Sequence, residues 1–319
     1  MPRRQQLRRL QRRLKPSFQL QFSRTFGFGV SEWRAKALHF TFSSTVRSAR
    51  LGNTETMSEQ HTDQLLVDLA AEVAALDVLL SAIDSDAWSH STPAPDWNVS
   101  DQVIHLGLFD RRALWSMADE ERFTADLRSM AAAGGVDGIH DIERVQTPEQ
   151  LLEWWRTGAT ELARAANSLD MSARCVWYGP PMSARSMLTA RLMETWAHGH
   201  DIADALGLPV QATQRLRHVA HIGVRAMGFA FVANKKELPE GDVFVALTAP
   251  NGEEWTWGNP DAVSSVRGDA LGFCQAVTQR RHIDDCGLHM VGEPATTWMS
   301  IAQAFAGAPG VGRTKGQFD

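Results

Sequence analysis

Between Gln60 and Ile83 the apolar residues fall at Leu65, Leu66, Leu69, Val73, Leu76, Leu79, Leu80 and Ile83. This three- and four-residue spacing winds into a single stripe on a long helix. The proline-broken stretch STPAPDW interrupts the pattern. A second helix is then predicted over Val99–Ala118, with Asn98 or Ser100 as its N-cap. AAAGGVDG reads as a mobile glycine loop. Thr147, Pro148 and Gln150 then supply cap, first-turn proline and capping-box partner for a third helix running to about Leu169. Ser183 caps a fourth helix that Gly207 and Pro209 stop after Leu206. A fifth helical run covers about Thr213 to Lys235.

Beyond Pro239 the period changes. VFVALT, the turn Pro250-Asn251-Gly252 and EEWTW predict a β-hairpin, because Asn-Gly supplies the backbone conformation such a turn requires. A strand at Ala262–Val266, a helix from about Asp269 to Thr278 and a glycine-rich tail follow. The fold class is therefore α+β, with a helical part over residues 57–236 and a small α/β domain over 237–319. No internal repeat and no apolar run long enough to cross a membrane is present in the sequence.

Charge divides the chain differently. Residues 1–56 hold 12 Lys/Arg against 2 Asp/Glu, leaving 20 against 35 in the other 263 residues. The total of −5 is thus a +10 leader joined to a −15 body. The body lacks the basic surface on which phosphate-backbone binding rests, so no nucleic-acid partner is expected. The leader has no apolar core of the secretory kind. An acidic, amphipathic style begins abruptly at Met57, and residues 1–56 are expected to be disordered and upstream of the natural start. Cys175, Cys274 and Cys286 are scattered and form no C-x-x-C pair. They are read as thiols of a cytoplasmic protein.

The chemistry concentrates in METWAHGHDIADALG, residues 193–207. At about 100° per residue, Glu194 and His198 stand roughly 40° apart, Asp201 lies about 20° to the other side of Glu194, and His200 points away. An imidazole and a carboxylate on one helical face are two ligands for a divalent cation. His105, on the second helix in WNVSDQVIHLGLFD, is the third if the two helices pack side by side. Glu-x-x-x-His also forms as a plain helix-surface ion pair. The apolar neighbours Val103, Ile104, Leu106 and Leu108 place His105 inside, where a buried Glu194 needs a partner. His218 with His221, and the histidines of RRHIDDCGLH, lack a third ligand. The tryptophans, among them Trp97, Trp115, Trp154, Trp155 and Trp196, are expected to pack cores and helix interfaces, and offer material for a homodimer.

Trp97 to His105, followed some ninety residues later by Glu194, His198 and Asp201 and then by a small α/β tail, resembles the mycothiol-dependent maleylpyruvate isomerases and their DinB-like metal-binding relatives. The resemblance covers most of residues 57–312. It implies a DinB-like four-helix bundle holding a divalent metal, usually zinc, through His105, Glu194 and His198, with Asp201 matching the family's acidic residue one turn on. Two imidazoles and a carboxylate also suit Ni2+, Mn2+ or Fe2+. The implied reaction is thiol-dependent. A low-molecular-weight thiol adds as thiolate to a small electrophilic substrate, giving isomerisation or S-transfer, with Asp201 orienting a ligand or moving a proton and Arg280 clamping a substrate carboxylate. Arg267 and Arg281 lie close to Arg280 in sequence, and spacing does not choose among them. Two other functions fit the same ligands: a metal-water hydrolase needing no thiol, and a non-catalytic binding module.

Overall fold

The computed structural model describes residues 63–132, 144, 146–178, 181–307 and 309–318. The leader and most of AAAGGVDG lie outside the described residues. Residues 64–319 form one compact unit.

Four long helices lead: α1 (Gln64–Ala82), α2 (Val99–Ala118), α4 (Pro148–Ala166) and α5 (Ala184–Ala205), with the shorter α3 (Glu120–Ala132) between the second and third of these. Of these, α2, α4 and α5 begin where the sequence places their caps. The Asn98 side chain accepts from the Asp101 amide while Asp101 accepts from the Asn98 amide, and Thr147 and Gln150 form the same reciprocal box. Each such box satisfies two otherwise orphaned donors. Ser183 caps α5 through the Ser186 amide. The long helices close a ring of packing, α1 on α5, α5 on α2, α2 on α4 and α4 on α1. Trp155 and Leu151 of α4 fill its centre with Ile104 and Leu106 of α2 and Leu76 and Leu80 of α1. The approach of α4 to α2 is close enough that a Cβ at Gly107 would meet the Trp154 ring at 2.1 Å.

The fifth helical run is broken. Ala226, at φ −84° and ψ −1°, separates α6 (Leu216–Arg225) from α7 (Met227–Ala233). α6 packs on both α5 and α8 (Ala270–Val277), joining the helices to a four-stranded sheet. The sheet order is β4 (Glu254–Trp257), β3 (Val243–Thr248), β5 (Ser264–Asp269), β6 (His289–Val291), with β3 and β5 parallel and both outer pairs antiparallel. The hairpin falls as predicted, while β5 runs three residues further than expected and β6 and α9 (Glu293–Ser300) have no counterpart in the sequence reading. The two-stranded β1 (Arg174–Cys175) and β2 (Met182–Ser183) lead into α5. One buried cluster runs from Leu65 and Leu192 through Val219 and Phe273 to Val245 and Val266.

α2 and α5 are antiparallel, and a buried ion pair sets their register. Asp110 and Arg191 are each 3% exposed, with Arg191 Nε 2.9 Å from the carboxylate and its Nη2 donating to the Leu106 carbonyl. Burial pushes the Asp110 carboxyl up, and the Arg191 charge and hydrogen bond pull against it. Removing one member strands the other charge in the interior. Asp110→Ala is therefore expected to destabilise the protein by about 3–5 kcal/mol in urea unfolding. A loss below about 1 kcal/mol, the level of an exposed pair, would refute this account of the α2–α5 register.

Candidate metal centre

The register that joins Asp110 to Arg191 also brings His105 of α2 opposite Glu194 and His198 of α5. His198 Nε2 lies 3.0 Å and His105 Nε2 3.8 Å from Glu194 Oε2. The ligand atoms of the three side chains all fall within 4.8 Å of one another, and among the described residues this is the one cluster of its kind. Trp97 and Phe109 wall the imidazoles. The Trp97 ring is stacked at 6.0 Å from His198, and Phe109 stands 4.5 Å from His105. Trp97 is thus a cavity residue rather than core packing, and His105 keeps 16% of its side chain accessible because it faces that cavity.

The His198 ring is oriented from behind by a chain of bonds whose direction is forced. The Trp97 carbonyl can only accept, so the Thr92 hydroxyl donates to it at 2.9 Å. Thr92 Oγ1 then accepts from the Gln102 amide nitrogen at 2.8 Å. That leaves Gln102 Oε1 facing His198 Nδ1, which must donate the proton. In the neutral ring the Nε2 lone pair is then presented to Glu194. Two lone pairs at 3.0 Å repel, so the position calls for a cation or a second proton between them. Burial alone would raise the Glu194 carboxyl, but with that second proton in place the hydrogen bonds and charges of His105 and His198 hold it well below the usual carboxylate range. Gln102 and Thr92 carry no spacing signature in the sequence. Gln102 is recognisable only as the polar residue one turn before His105.

The cluster forms one end of a cavity of about 350 Å3. Asp201, 1% exposed and one turn beyond His198, lines it as well. Its Oδ2 accepts from Arg280 at 2.8 Å and its Oδ1 from Arg313 at 2.6 Å. Asp201 is therefore a buried anchor for two guanidiniums. The three arginines lie in different surroundings. Arg280 lines the cavity, its Nε donating to the Ala197 carbonyl and its Nη1 to that of Thr278. Arg281 pairs with Asp204, and Arg267 lies over Phe244 in the sheet. His200 points away as the helical angle requires, buried between Asp204 at 3.2 Å and Gln275 at 3.0 Å. His218 pairs with Asp68, and His221 accepts from Trp257. Arg313, far along the glycine-rich tail, had no signal in the sequence.

The three cysteines are free and buried. Burial pushes the Cys175 thiol up, that of Cys274 well up, and that of Cys286 to about 12. None joins the cluster.

Residues 69–203 match the mycothiol maleylpyruvate isomerase N-terminal domain. Two uncharacterized proteins of Mycobacterium tuberculosis, from strains CDC 1551 and H37Rv, are each 45% identical over 251 residues, covering 78% of this chain and 97% of the relative. Two crystal structures of a mycothiol-dependent maleylpyruvate isomerase, one of them a histidine-to-alanine mutant, are also similar. They cover 73% of this chain and 94% of their own, the mutant at 16% identity with a TM-score of 0.48 and the other at 14% with 0.45. The chain belongs to the family of these mycobacterial proteins, built on a mycothiol maleylpyruvate isomerase N-terminal domain.

Proposed function

We propose that His105, Glu194 and His198 hold one divalent cation, zinc by preference, and that the protein is a thiol-dependent isomerase or S-transferase acting on a small electrophilic substrate. The observation that carries this reading is the forced orientation of His198. Gln102 Oε1 accepts a hydrogen bond from Nδ1–H, and Nε2 is left facing a carboxylate 3.0 Å away. Neutral imidazole and carboxylate are the donor set that suits zinc, and three protein ligands leave a position open for a reactant. A bound cation would supply the Lewis acidity that keeps a coordinated thiol deprotonated near neutral pH.

The chain's own residues supply the surroundings. Gln102 fixes the ring tautomer, and Trp97 and Phe109 keep bulk water from the imidazoles. The cavity beside them has room for a reactant. The buried cysteines, held as thiols, are unsuited to be the nucleophile, which favours a thiol brought in from solution. Arg280, fixed by two carbonyls and Asp201, retains N–H groups for a substrate carboxylate. The family's domain name points to mycothiol as the thiol. A metal-water hydrolase on the same ligands would turn over without any thiol.

Protein purified without chelators is expected to carry about one divalent ion per chain, and a His105→Ala, His198→Ala double variant none, with unchanged far-ultraviolet circular dichroism. Retained metal in the folded variant would refute the assignment. Gln102→Leu is expected to weaken metal affinity by about 10–100-fold, as loss of a ring-orienting partner does elsewhere, measured by chelator competition. Cobalt-substituted protein titrated with mycothiol is expected to develop a sulfur-to-cobalt charge-transfer band. Its absence, with turnover of an ester or amide in thiol-free buffer, would favour the hydrolase.

A further inference from the structure

The cavity has a wall that the helices do not provide. Phe305, Ala306, Gly310, Val311, Gly312 and Arg313 line it from the C-terminal end of the chain. Residues 309–318 have no helix or strand, only a turn at 315–318. Pro309 to Val311 and Thr314 to Gln317 are exposed, Val311 at 92%. Arg313 is the exception, its side chain 91% buried, and Gly312, at φ 68°, turns the backbone that directs it inward. Such a conformation favours glycine.

What holds this segment down is polar. Arg313 reaches Asp201 at 2.6 Å, Lys315 reaches Asp284 at 3.0 Å, the Gly316 amide donates to Asp285 at 2.8 Å, and Phe318 lies under the Arg281 guanidinium at 3.8 Å. The Lys315 pair is more than half exposed on both sides. Exposed pairs of this kind hold weakly. Little apolar surface is buried with them, so the segment belongs to the low-stability end of the fold. Arg313 is its one buried attachment.

The charge count at that attachment matters. With the segment lifted, Asp201 and Arg280 form a neutral pair. With it docked, two guanidiniums share one carboxylate, and the Arg280–Asp201–Arg313 group carries one uncompensated positive charge, the cavity's other carboxylate, Glu194, being engaged by His105 and His198. Arg313 Nε is buried with no hydrogen-bond partner among the described residues. An anionic group in the cavity would balance that charge, which makes docking of the segment and occupancy by an anion mutually favourable.

We propose that residues 309–318 are a strap that closes the cavity, and that Arg313 is the positioning residue coupling closure to an anionic ligand by sharing Asp201 with Arg280. The inference takes the cavity as the site of the function proposed above but makes no use of the cation. Metal content, measured on the same samples, therefore separates a failure of one from a failure of the other.

Trypsin can cut after Arg313 only when that side chain has left Asp201, so release of C-terminal peptides from the full-length native chain, followed by mass spectrometry, reads the lifted strap. The probe is malonate, compared with chloride at matched ionic strength, with trypsin activity on a small chromogenic substrate as control. Malonate is expected to slow the cut after Arg313 several-fold and to increase amide-exchange protection over 309–318. Arg313→Lys keeps the charge and the cleavage site but loses the planar fork. It is expected to be cut faster and to lose most of the malonate effect, whereas Lys315→Ala, which breaks only an outer contact, should keep it. No malonate effect on the wild type, or an undiminished effect in Arg313→Lys, would overturn the proposal.

Discussion

The antiparallel register of α2 against α5 is the constraint from which the site follows. Asp110 and Arg191 neutralise each other where neither charge survives alone, and that requirement fixes how far one helix is slid along the other. A slip of one helical turn, about 5.4 Å, would separate the pair and at the same time carry His105 past Glu194. The ion pair is therefore best understood as specifying an alignment. A hydrophobic pair of the same volume can pack as stably, but it discriminates less sharply between registers. Gln102 facing His198 reads out the same alignment one turn away from the ligands, so two independent polar contacts agree on it.

Polar groups in this region satisfy each other in a definite direction, and that direction has chemical consequences. A carbonyl that can only accept orients a hydroxyl, the hydroxyl orients an amide, and the amide decides which nitrogen of His198 keeps its proton. The result is a nitrogen lone pair aimed at a carboxylate, an arrangement that is unfavourable until a positive charge enters. One turn along the same helix the balance is reversed, since Arg280 and Arg313 bring two positive charges to the single carboxylate of Asp201.

Much of this was legible in the sequence wherever a local rule applied. Thr147-Pro148 and Asn98 announced helix starts because capping is chemistry within four residues, and Asn251-Gly252 announced a turn for the same reason. Glu194, His198 and Asp201 sorted themselves from His200 by angle alone. The rest depended on distant partners. α3 was missed because its apolar positions, Phe123 and Leu127, are too few to stand out from its charges. The break at Ala226 involves no glycine or proline, so propensity gives no warning of it. That Asp201 anchors two guanidiniums was not legible, because these arrive from 79 and 112 residues further along.

The family domain ends at residue 203, and this limit divides the site in a meaningful way. His105, Glu194, His198 and Asp201 fall inside it. Thr278, Arg280, Phe305 and Arg313 fall outside it and line the same cavity. The histidine–glutamate cluster and the guanidiniums that reach Asp201 are thus encoded in separate stretches of one chain. They meet at Asp201, where α5 offers one carboxylate and the later residues compete to occupy it.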